Sequence, residues 1–141
     1  MAVDTTERPA VAGQVAVHSP TAVRQAYQLL HIAFFLLPVI AGLDKFFHLL
    51  TNWDMYLAPR VAMLVPFSVQ QIMWIAGVVE IAAGVIVAIW PRVGGWLVCL
   101  WLWAIIADLA MAHSFYDIAL RDFVLSLGAL ALAQLSTWRR V

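Results

Sequence analysis

Charge is scarce in this chain and cysteine nearly absent. Of its 141 residues only 11% are charged, eight basic against eight acidic, and Cys99 stands alone. A single cysteine excludes an intrachain disulfide. The balanced charge leaves no basic footprint, so nucleic acid is not expected as a partner. No Glu-x-x-His pair and no Cys/His cluster occurs, and no metal site is expected. The first residues also lack a basic stretch followed by a compact apolar one, so they do not read as a secretory signal. No internal repeat is convincing.

What is present is apolar. Hydrophobic residues make up 65% of the chain, more than a soluble domain of this size has polar surface to cover. The class is therefore integral membrane protein, with the lipid bilayer as its first partner. Residues 1–23 are mixed, carry Pro9 and Pro20, and are expected to form a mobile tail ahead of a transmembrane domain at 24–141. Four apolar segments follow, at about 25–49, 69–90, 94–113 and 118–137. Each is close to the ~20 residues that cross hydrocarbon, and runs of that length satisfy their backbone in lipid as helices. The fold class predicted is all-α, an integral membrane four-helix bundle. Pro91-Arg92-Val93 and His113–Asp117 make short turns, whereas the first connection is long and carries Pro59 and Pro66. It is too apolar for a free loop, and a partly buried segment at the membrane surface is expected.

Orientation follows from the basic residues near the helix ends. Four spans place Arg8, Arg24, Arg92, Arg139 and Arg140 on one side, and Lys45, Arg60 and Arg121 on the other. The excess favours both termini in the cytoplasm. Trp90, Trp96 and Trp138 then mark the inner border and Trp53 the outer one.

Between Arg60 and Arg92 the chain has one charge, Glu80. It lies near mid-membrane, on one helix face with Gly77 and Gly84. Small residues let another backbone approach, so that face is expected to point into the bundle. Glu80 has a plain reading as a hydrogen-bonded contact between helices, but an intramembrane carboxylate is costly unless paired or neutral and marks a functional site by default. The remaining ionisable residues gather in the outer half. Asp44, Lys45 and His48 end the first helix, Asp108 and His113 lie in the outer part of the third, and Arg121 and Asp122 open the fourth. His31, Pro38 and Lys45 recur every seven residues on the first helix, where Pro38 should introduce a kink. The expected arrangement is an outward-opening polar pocket floored by Glu80. Charges at helix ends also serve simply as interfacial anchors or as mutual pairs. Asp44 with His48 could ligate a metal, and His48 with His113 could bracket a haem, but neither spacing is diagnostic. Trp101 and Trp103 read as packing or lipid-facing residues rather than as cofactor partners.

These residues together resemble the DoxX family of small four-helix bacterial membrane proteins. The likeness rests on Gly42-Leu43-Asp44-Lys45-Phe46, on the Gly/Glu/Gly helix GVVEIAAG at 77–84, on the Pro91-Arg92 turn, and on the Asp/Arg/Asp opening at Asp117, Arg121 and Asp122. It covers roughly residues 28–136. It implies the four-helix fold, the bacterial inner membrane, and association with quinol oxidase, thiosulfate:quinone oxidoreduction or oxidative-stress complexes. The expected function is an accessory, non-catalytic subunit of a quinone-linked redox system, within a larger complex or a homo-oligomer. Quinone is then a ligand held by Glu80, Asp108 and His48. Two alternatives remain, a small-solute or proton transporter and a purely structural scaffold. Against transport, the inner half lacks polar residues to continue a path, and inverted repeats are not evident.

The topology has a direct check. Cysteines placed at Thr51 or Ser114 should react with an impermeant thiol reagent from outside the cell while one at Thr137 is protected. The opposite pattern would reverse the orientation.

Overall fold

The computed structural model describes residues 21–138. The expected tail, apart from 21–23, and the terminal residues 139–141 lie outside the described residues, and with them Arg8, Arg139 and Arg140. Five helices are described: α1 (Thr21–Phe47), α2 (Pro59–Leu64), α3 (Val69–Ile89), α4 (Pro91–Ala112) and α5 (Tyr116–Trp138), with a 3-10 turn at Trp53–Tyr56. No strand occurs among the described residues. α1, α3, α4 and α5 are long and apolar enough to cross a membrane. At 1.5 Å per residue, the 21 residues of α3 span about 32 Å, matching the ~30 Å hydrocarbon core. The chain is an all-α, multi-pass membrane bundle.

Local chemistry sets the helix ends. α3 starts with a capping box, in which the Ser68 hydroxyl accepts from Gln71 N–H and the Gln71 side chain accepts from Ser68 N–H. The turn expected at 91–93 is tighter than the sequence suggested. Trp90 alone separates α3 from α4, and Pro91 is already the first helical residue. Proline fits there because its missing N–H has no intrahelical partner at that position. α1 runs unbroken through the buried Pro38 and starts four residues earlier than the expected 25.

The four long helices follow one another around the bundle, each antiparallel to the next, with α5 closing back on α1. The α1–α3 and α4–α5 pairs are the most extensive, and both rest on small residues. A Cβ on Gly42 would lie 2.6 Å from the Gly77 carbonyl oxygen, and one on Gly77 would lie 2.7 Å from that of Gly42. Between α4 and α5, Gly95 faces the Ala129 backbone and Ala133 in the same manner. Such contacts bring backbones together where water exclusion supplies no drive. The core between the pairs is apolar, built from Phe34, Ala83, Val87, Val98, Leu102 and Leu132.

One polar contact reaches into that apolar half. His31 Nε2 donates to the Val87 carbonyl oxygen at 2.9 Å. The residue four positions after Val87 is Pro91, which has no N–H to offer, and the carbonyl would otherwise lack a helical donor. Replacing His31 with Leu should therefore lower stability by about 1–3 kcal/mol, the penalty for a buried acceptor left bare. Thermal unfolding in detergent micelles measures it, with His31→Gln expected to recover much of the loss.

Candidate functional site: an ion pair beneath a strap

α1 is shorter at one end than its partner. The Gly42–Gly77 register carries Phe47 to the level of Ile72, about 5 Å short of the first residue of α3. The chain leaves α1 inside the mouth of the bundle, and residues 48–68 form a strap across it before α3 begins. Ala58, in the middle of this strap, is fully buried. The surface segment expected from composition is thus partly sunk between the helices.

Two of the candidate carboxylates hold this strap. Asp44 accepts from Leu49 N–H at 2.8 Å, from Leu50 N–H at 3.1 Å and from Trp53 Nε1 at 2.7 Å. The chain beyond α1 would otherwise present bare N–H groups, and a buried carboxylate with several donors satisfies both sides. Asp108 accepts from Ala58 N–H at 3.1 Å, fixing the strap to α4. Tyr56 adds an edge-on ring contact to Phe115, 4.8 Å between centroids.

Beneath the strap lies the buried ion pair. Lys45, the chain's single lysine, places Nζ 2.6 Å from Glu80 Oε2. Both residues are 5% exposed. The other carboxylate oxygen, Oε1, accepts from Trp101 Nε1 at 3.2 Å. Lys45 Nζ also sits 3.8 Å from the centre of the Trp53 ring, close enough for a cation–π attraction. Asp122 is buried as well. Its own close partner is Arg121, with Nη2 to Oδ1 at 2.9 Å.

The candidate residues therefore divide. Glu80 and Lys45 form a buried centre contributed by α3 and α1, and Trp101 adds α4, whereas Asp122 is buried on α5 beside Arg121. Asp44 and Asp108 touch the strap backbone, with Asp44 joined to the centre through Trp53. Arg121 directs its guanidinium outward, its side chain 61% exposed. His48 Nε2 lies 3.8 Å from Asp54 Oδ1, beyond hydrogen-bonding distance, and neither atom has another partner. His113 is the exposed, left-handed cap of α4. No cluster of three or more metal-ligating groups occurs among the described residues.

Sequence reasoning missed two members of the site. Trp101 reads as packing or lipid-facing, yet its indole N–H is on Glu80. Trp103 does lie exposed, edge-on to Phe123. Trp53 reads as a border residue, whereas it roofs Lys45. The signal for Trp101 was its depth: the antiparallel α3–α4 hairpin, closed by Val87 against Gly94, brings residue 101 to the level of Glu80.

Chemically the centre offers a carboxylate that can take or release a proton, an ammonium and an indole N–H as donors, and an aromatic face. Below it the bundle core is apolar, and among the described residues it carries no charged side chain that is buried. No family model matches the chain, and neither a curated protein nor a solved structure matches it.

The pair's energetics are testable by a double-mutant cycle. Lys45→Met or Glu80→Leu alone should destabilise by about 3–5 kcal/mol, because each strands a buried charge, while the double variant should return close to the parent. Additive losses, read from unfolding in micelles, would show that the two side chains are not coupled.

Proposed function

We propose that this chain is a DoxX-like accessory subunit of a quinone-linked membrane redox system, working from the bacterial inner membrane with both termini cytoplasmic. In this reading the Lys45–Glu80–Trp101 centre meets a quinone headgroup or its protons. The observation that carries it is the buried 2.6 Å ion pair whose carboxylate lies near the middle of α3. A buried pair is a poor source of stability, since well-packed apolar residues do as well or better. An intramembrane charge is therefore better explained by chemistry than by packing.

The residues present fit a quinone. Its carbonyls need hydrogen-bond donors, which Lys45 Nζ and Trp101 Nε1 are, and its ring needs an apolar or aromatic wall, which Trp53 supplies. Glu80 would be the first proton acceptor: were a quinol oxidised here, its two electrons would pass to the partner enzyme, one of its two protons to the Glu80 carboxylate and the other to water at the strap end. Protonation would neutralise Glu80 and leave the Lys45 ammonium without its counter-ion, which favours passing the proton on and re-forming the pair. Asp44 and Asp108 act on the strap, and their part is to keep the roof in place. The apolar floor below Glu80 favours a site reached from one end and speaks against a continuous solute path.

Glu80→Gln tests this. Glutamine keeps the volume and a carbonyl that accepts from Lys45, but it takes up no proton near neutral pH. The bundle should fold and copurify with its partner, and quinone turnover by that complex should fall at least tenfold. If turnover is unchanged in Glu80→Gln and only Glu80→Leu unfolds the bundle, the pair is a structural contact between helices. If the chain alone in liposomes moves protons or a small solute, the transport alternative takes its place.

A further inference from the structure

The strap carries apolar surface that the bundle does not cover. Met63 is 83% exposed and Leu64 79%, and Val65, Pro66 and Phe67 continue the exposed run directly into α3. Singly exposed apolar residues need no explanation, but a contiguous run at one place does.

Three observations identify what lies against it. The first is depth. Because α3 is itself about as long as the hydrocarbon is thick, its first residue, Val69, stands at the border, and residues 63–67 are the ones just before it. The second is continuity. The exposed face of α3 beyond Val69, with Trp74, Ile75 and Val78, belongs to the apolar surface that a membrane-spanning helix turns to lipid, and the run at 63–67 extends it along the chain. The third is charge. Arg60 is exposed and precedes Met63 and Leu64 by three and four residues on α2, so all three emerge on one side of the helix. Residues 59–68 contain no acidic side chain to oppose an anion.

We infer that Arg60 and residues 63–67 form an interfacial foot that rests in the phospholipid leaflet at this end of the bundle, with the apolar side chains at the acyl–glycerol boundary and the Arg60 guanidinium on lipid phosphates. A long basic side chain reaches upward from such a position while its stem stays in apolar surroundings. The foot is tied to the site roof, because Ala58, which caps α2, is the residue whose N–H is held by Asp108. The inference stands on exposure and charge and is independent of any quinone chemistry.

Spin labels placed one at a time at Met63, Leu64, Val78 and Asn52 in a Cys99→Ser chain test it, in vesicles of phosphatidylcholine with phosphatidylglycerol. Labels at 63 and 64 should be relaxed by oxygen and partly shielded from a water-soluble nickel chelate, with an oxygen-to-nickel ratio between those of the deeper lipid-facing label at 78 and the label at 52. The label at 52, on an exposed polar residue, should show the reverse. Nickel access at 63 and 64 equal to that at 52 overturns the foot, and shielding from both relaxers overturns it in favour of a protein partner or a second copy. Arg60→Glu should raise nickel access at 63 toward the value at 52, since lipid phosphate repels the carboxylate. Unchanged access would remove Arg60 from the proposal.

Discussion

A carboxylate halfway along an apolar helix has to be neutral or paired, and the way Glu80 is paired organises much of this bundle. Lys45 reaches it only because α1 and α3 touch backbone to backbone at Gly42 and Gly77. It reaches it from a position two residues before the end of α1. A helix that ends so deep leaves its last peptide groups without helical partners below the rim of the bundle. The strap answers that need. Its first residues turn onto Asp44, its indole at 53 covers the Lys45 ammonium, and its buried midpoint is held by Asp108.

The carboxylates of this half of the molecule are thus of two kinds. Asp44 and Asp108 accept from backbone N–H groups, and their charge is spent on fixing a loop. Glu80 accepts from two side chains, Lys45 and Trp101, and is the acid whose partners can move without unravelling a helix or a turn. Asp122 stands between these kinds, buried on one side and answered by the exposed Arg121 on the other. Side-chain partners lose and regain contacts by rotamer changes, whereas backbone partners do so only when the chain itself moves. On the proposed reading, that difference favours the pair, rather than the more numerous aspartates, as the place for proton chemistry.

The other half of the bundle sets the direction of any such chemistry. Phe34, Ala83, Val87, Val98, Leu102 and Leu132 fill the space below the centre, and the polar contacts His31 to Val87 and Ser136 to Leu132 both end on helix carbonyls. A charge crossing this layer would meet no partner. On the proposed reading, protons or quinone would therefore approach Glu80 from the strap end or from the side of the bundle.

Length and apolarity alone gave the four spans, because hydrocarbon leaves a backbone no other way to satisfy itself. The capping pair Ser68 and Gln71, and prolines at 59 and 91, are local signals for helix starts, although Pro91 proved to begin α4 where a turn was expected. The spacing of Gly77, Glu80 and Gly84 already turned the acid inward. What periodicity gives is a face and a depth on one helix. Which side chain answers Glu80 depends on the rotation and register of two helices whose contacting residues are 35 positions apart. Nothing local separated Lys45 from Arg121 as the partner. The same limit hid Trp101, distinguished from Trp103 only by the side of α4 on which each emerges, and Trp53, whose place over Lys45 exists only once Asp44 has drawn the strap into the bundle. Tertiary structure decided these because each is a contact between separate segments, set by packing that no single segment encodes.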